Sequence, residues 1–134
     1  MIESNSQLST VHSQLNKGPL WTKSFAFALR VVKLAKYLQE EKREFVLSKQ
    51  VLRSGTAIGA LVREAEHAQS KADFISKMSI ALKEANETDY WLDLLHQSGY
   101  LTQESYHSIH PDMQELLKLL VAIVKTSRES LNAK

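Results

Sequence analysis

The chain has 134 residues with two Pro, four Gly and no Cys, about one domain's length, and without thiols a disulfide scaffold or a Cys-ligated zinc module is excluded. With 43% hydrophobic and 24% charged residues, it can bury roughly two thirds of its unfolded surface, unlike a disordered or collagen-like chain. A formal charge of +2 favours neither a polybasic nor an acidic tail, so a polyanion would have to meet a local patch. Lysines and arginines, among them Arg30, Lys33, Lys36, Lys118 and Lys125, break every apolar run before the ~20 residues of a membrane span. Met1 to Lys17 lacks the cationic start and apolar core of a secretory signal, and the expectation is a cytoplasmic protein with no membrane partner.

Ser, Asn and Gln dominate residues 3–16, and Gly18-Pro19 interrupts regular structure after them. Leu8, Val11 and Leu15 have the spacing of a short docking helix; the preferred reading is a flexible lead over residues 1–18 and one domain over 19–134. From Leu20 the period is helical. Trp21, Phe25, Ala28, Val32 and Ala35 form one stripe, while Phe27, Val31, Leu34 and Leu38 form a second. Two apolar faces suit one helix packing both into its own domain and against a partner subunit. The charged run Glu40 to Glu44 makes the turn.

The second predicted helix starts with Ser48 as N-cap, runs to about Ala68, and carries the stripe Val51, Gly55, Ile58, Val62 and Ala65. Gly55 and Gly59 each cost up to ~1 kcal/mol relative to Ala, which implies a close helix contact that offsets the loss. Ser70 and Asp73 have capping-box spacing and open the third helix, to about Gln97. Phe74, Met78, Ala81, Ala85, Thr88, Leu92 and Leu95 recur along it as a bundle seam. Gly99 is a left-handed helix stop and Thr102 caps the fourth helix, which His110-Pro111 should kink or divide. Its apolar residues are Met113, Leu116, Leu117, Leu120, Ile123 and Val124. The fold class is therefore all-α, an up-down-up-down antiparallel four-helix bundle.

Two Glu-x-x-His pairs, Glu64 with His67 and Glu104 with His107, have the spacing used in di-iron bundles. In this topology they fall at opposite ends, so no metal site is expected. No Gly-x-Ser-x-Gly elbow, His-Glu-x-x-His motif or phosphate loop is present, and the reading is a non-enzyme without cofactors.

The informative polar residues are Arg53 and Glu64 on the second helix and Glu84 and Glu87 on the third. They suit either a solvated face or a polar network between helices or subunits, in which Arg53 offers its fork to Glu84 or Glu87. For nucleic acid the candidates are Arg30, Lys33, Lys49, Arg53 and Arg63. Trp21 and Phe25 fall on a core stripe and Tyr90 and Trp91 are expected to pack, so phosphate contacts should dominate over base stacking. A ring repeating this patch would gain by multivalency.

Leu47 to Ala60 (LSKQVLRSGTAIGA), Arg63-Glu64-Ala65, Ser70 to Lys77 (SKADFISK) and Ile80 to Leu92 (IALKEANETDYWL) together resemble the bacterial four-helix bundle family named for the 23S ribosomal RNA intervening-sequence protein. The resemblance spans about Phe25 to Val124, with Leu61 where the family commonly has Asn. It implies a small bundle that assembles into a homo-oligomeric ring, a pentamer, with no known catalysis, associated with RNA or acting as a scaffold. The family label describes a genetic location inside a ribosomal RNA gene. A related branch, the accessory variability determinant of diversity-generating retroelements, implies the alternative of an accessory subunit that binds RNA or DNA and a nucleic-acid enzyme such as a reverse transcriptase.

Overall fold

The computed structural model describes residues 18–133, with four helices in order: α1 (Pro19–Glu40), α2 (Leu47–Glu66), α3 (Lys71–Gln97) and α4 (Gln103–Asn132). The described residues include no strand, and the expectations for Leu8, Val11 and Leu15 lie outside them. Each helix packs on the next, and α4 returns, less closely, to α1. Short connections over 41–46, 67–70 and 98–102 make consecutive helices antiparallel.

Pro19 starts α1, where its missing N–H and fixed φ cost nothing. Leu20, Ser24, Phe27, Val31, Ala35 and Leu38 are buried on α1. Of the other expected stripe only Ala35 is buried, and Phe25 and Val32 are 48% and 47% exposed. A helix at a bundle corner turns only part of its circumference inward, so two stripes cannot both be core within one chain. Phe25 therefore does not belong to the core stripe.

The turn into α2 departs from the expected Ser48 cap. Arg43 takes the left-handed conformation (φ 54), the Glu44 N–H donates to the Leu38 carbonyl at 2.9 Å, and the Glu44 carboxylate accepts from Val46 N at 3.2 Å and Ser48 N at 2.7 Å. Burial works to raise the Glu44 carboxyl, but donors from Leu47, Ser48 and Val46 outweigh it and hold the group below the usual glutamate range. Ser48 is buried, and its hydroxyl accepts from Gln39 Nε2 at 3.2 Å. The Glu44 carboxylate, four residues before Ser48, thus serves amides at the very start of α2, one turn ahead of those a Ser48 cap would have reached.

At α3 the Ser70 hydroxyl accepts from Asp73 N at 3.0 Å, and Asp73 reaches back to Gln69 N at 3.2 Å. That backbone donor, with Lys77 second, lowers the Asp73 carboxyl. All seven expected seam residues of α3 are buried. Gly99 is left-handed (φ 89), and the Thr102 hydroxyl accepts from Ser105 N at 3.1 Å.

The fourth helix is a single element that passes through Pro111, not two pieces. Proline removes one donor, the one the His107 carbonyl would have used, and crowds the turn before it. On that turn the Arg30 guanidinium donates to the Ser108 carbonyl at 2.9 Å, a hydrogen bond from the neighbouring helix. Ile109, Met113, Leu116, Leu120 and Val124 are buried, whereas Leu117 and Ile123 are half-buried.

Candidate interaction surfaces

The α1–α2 seam is built from small residues. An ideal Cβ at Gly55 would lie 2.8 Å from both Cγ atoms of buried Val31, and one at Gly59 would lie 3.3 Å from the Ser24 carbonyl oxygen. Both are tighter than ordinary van der Waals contact, so the absence of a side chain sets how closely these helices approach.

Across α2 and α3 the Ser54 and Thr88 hydroxyls share a buried 2.8 Å hydrogen bond. On the surface above it Arg53 forks to two carboxylates, Glu84 at 3.2 Å and Glu87 through its other terminal nitrogen. Trp91 Nε1 donates to Glu87 at 3.0 Å. That indole bond, with Arg53 second, lowers the Glu87 carboxyl, and the Glu87 hydrogen bond raises the Arg53 guanidinium further. The network joins two helices of one chain, and it neutralises the charge of Arg53.

The other basic candidates lie apart. On the α1 flank facing α4, Arg30 donates to Asp112 at 2.7 Å and to the Ser108 hydroxyl at 2.7 Å, and lower on the same flank Lys23 pairs with Glu115 at 2.6 Å. Arg63 lies over the rings of Trp21 and Phe25, 5.0 and 4.8 Å from their centroids. Lys49 is exposed in the first turn of α2, and Glu64 is exposed near its end. Although α1 and α2 are neighbours, Arg30 and Lys33 turn toward α4. The five basic residues thus divide among separate flanks of one chain.

Phe25, Leu29 and Val32 form an exposed row on α1, 48%, 52% and 47% accessible; Phe25 and Val32 belong to one of the two apolar stripes expected to divide between core and partner subunit, and Leu29 joins them at i, i+4, i+7 spacing. Tyr90 is also 60% exposed, while Trp91 packs against the core, so exposed aromatics do accompany the basic residues. Where α3 ends and α4 begins, Tyr106 is stacked between His96 and His110, with centroids 4.2 and 4.7 Å away. His110 Nε2 lies 3.0 Å from Asp89 Oδ1, and burial, followed by the charges of Asp93 and Asp89, raises the Tyr106 phenol. Finally, a groove of about 510 Å³ opens between α1 and α4 above the Arg30 tie. Leu34, Leu101 and Ile109 form its floor, with Lys33, Tyr37, Glu104 and Ser105 at its rims.

The two Glu-x-x-His pairs stand at opposite ends of α3, whose 27 residues separate them by about 40 Å. Among the described residues no group of three or more His, Asp or Glu could hold a metal ion, and no helix is long and apolar enough to cross a membrane.

These features define a small four-helix bundle distinguished by its flanks: a glycine seam, an exposed apolar row and paired surface charges. The family model of the 23S rRNA-intervening sequence protein matches residues 16–122, and the chain belongs to that family. It is 59% identical to a protein of unknown function from the S23 ribosomal protein family of Bacteroides thetaiotaomicron, whose solved structure matches with a TM-score of 0.78 over 79% of this chain and 95% of that one. No curated protein matches the chain.

Proposed function

We propose that the chain is a non-catalytic bundle that assembles into a homo-oligomeric ring, five copies being the expectation, and associates with RNA. The observation that carries the reading is the exposed row Phe25, Leu29 and Val32 beside Arg63. Three large apolar side chains in register on one helix are unfavourable in water, and covering them by a second copy gains ~25 cal/mol per Å² of apolar area buried. A ring joins two different patches at every contact and would bring the separated basic residues of neighbouring copies together around one axis. The RNA half rests on Lys33, Lys49 and Arg63, which are exposed and make no ion pair among the described residues, with the family resemblance beside them.

Sedimentation equilibrium tests the assembly. The wild-type mass should be several times 15.2 kDa, and Leu29→Glu, an exposed change that leaves the fold intact by circular dichroism, should yield monomer. A monomeric wild type at micromolar concentration refutes the ring. A salt titration of binding to structured RNA tests the rest: affinity should fall steeply with salt, and Lys49→Glu should flatten the slope. Undetectable binding at low salt refutes it.

A further inference from the structure

The groove between α1 and α4 combines three properties. Its floor is apolar, from Leu34, Leu101 and Ile109. Its charged lining residues are Arg30 and Lys33 on α1 and Glu104 on α4, and of these Arg30 is paired with Asp112, which leaves Lys33 and Glu104 as opposite charges. Among the described residues these two make no ion pair with one another although they line one groove, and the Tyr37 phenol stands on the Lys33 side. A volume of about 510 Å³ falls within the range of small-ligand sites. Arg30, which also lines the groove, is held by Asp112 at 2.7 Å.

Complementarity to such a groove requires an anion at one rim, a cation at the other and an apolar body between. We propose that it binds short zwitterionic peptides with apolar side chains, the terminal carboxylate on Lys33 and Tyr37 and the terminal ammonium on Glu104. Two or three extended residues span ~7–11 Å, the scale of a groove between two neighbouring helices, and their side chains would face the floor. A simple carboxylate with an apolar tail would satisfy Lys33 and leave Glu104 repelling it. A dianion would be opposed by Glu104 more strongly still.

The test is a ¹⁵N NMR titration of the full chain with alanyl-leucyl-alanine, its N-acetylated and C-amidated forms, and octanoate. Shift changes should centre on Leu34, Leu101 and Ile109. Blocking either terminus, or changing Lys33→Glu or Glu104→Lys alone, should weaken binding roughly two- to fivefold, the range of a solvent-exposed charge pair. The double variant should recover affinity, because the peptide can bind in the reverse direction. Both positions are exposed, so the variants keep the fold, which their unperturbed core resonances will verify. Shifts that are absent or centred elsewhere overturn the proposal, as does octanoate binding as tightly as the peptide, or a double variant no better than the singles.

Discussion

Helix α1 has two neighbours and meets them by opposite means. Toward α2 it presents Ser24 and Val31 to two glycines, and the backbones close until a single added Cβ would collide. Toward α4 it presents Lys23 and Arg30 to Glu115 and Asp112, long side chains that reach across a wider gap and leave a groove beside them. The first seam gains from dispersion and apolar burial, which need near-contact. The second is held by partly exposed ion pairs, each worth ~0–1 kcal/mol. The same helix can therefore be anchored on one side and left accessible on the other, and the accessible side is where a ligand can enter without unpacking the core.

Substitutions at the tight seam should have the largest effect. Gly55→Leu drives a branched side chain into Val31 and should cost about 3 kcal/mol or more, read as a lower urea midpoint. Combined with Val31→Ala it should cost less than the sum of the two, by a double-mutant cycle. At the open seam Arg30→Met removes the bonds to Asp112 and Ser108 and should cost about 1 to 2 kcal/mol. A similar loss at both seams would erase the distinction.

Glu44, which ties the turn of the tight seam, adds a pH dependence. Its folded carboxyl is held below the ordinary glutamate value of ~4.3, so its contribution is complete above that value and is lost as pH falls through the lower folded one. Glu44→Gln should cost about 1 kcal/mol at neutral pH, and the gap to wild type should shrink in acid. A gap that grows in acid would mean the carboxylate is not the stabilising form. The smallest change is expected for Gly59→Ala, where a 3.3 Å approach to the Ser24 carbonyl offsets a helix-propensity gain of ~1 kcal/mol. Thermal melts should differ little, and a clear rise in Tm would show that the backbone there yields.

What was legible in the sequence follows from the range of the forces. The seam of α3, its Ser70 and Asp73 cap and the Gly99 stop are local patterns, and each appears as read. The Arg53 fork was legible because both acids lie on adjacent turns of one helix. Which stripe of α1 faces inward was not, since Phe25 and Phe27 are equally apolar and only the positions of α2 and α4 decide between them. The Ser48 cap does not form because the helix starts earlier, where Glu44 accepts from Val46 and Ser48 N out of an upstream turn that the left-handed Arg43 creates. Pro111 does not divide α4, because a single lost donor does not end a helix that packs on both neighbours. The groove depends on how far two helices stand apart, a distance that no residue pattern records.

The two ion pairs of the open seam join residues 82 and 92 positions apart, whereas the other seams link helices adjacent in sequence. Closing so long a loop costs more chain entropy than forming any of the three helical hairpins. The α1–α4 closure is thus expected to form after the folding barrier, once the hairpins are in place. In kinetic terms its contacts have low φ-values: Asp112→Asn should speed unfolding and leave the refolding rate almost unchanged. The lifetime of the native bundle, more than its rate of formation, is then set at the edge where the groove lies.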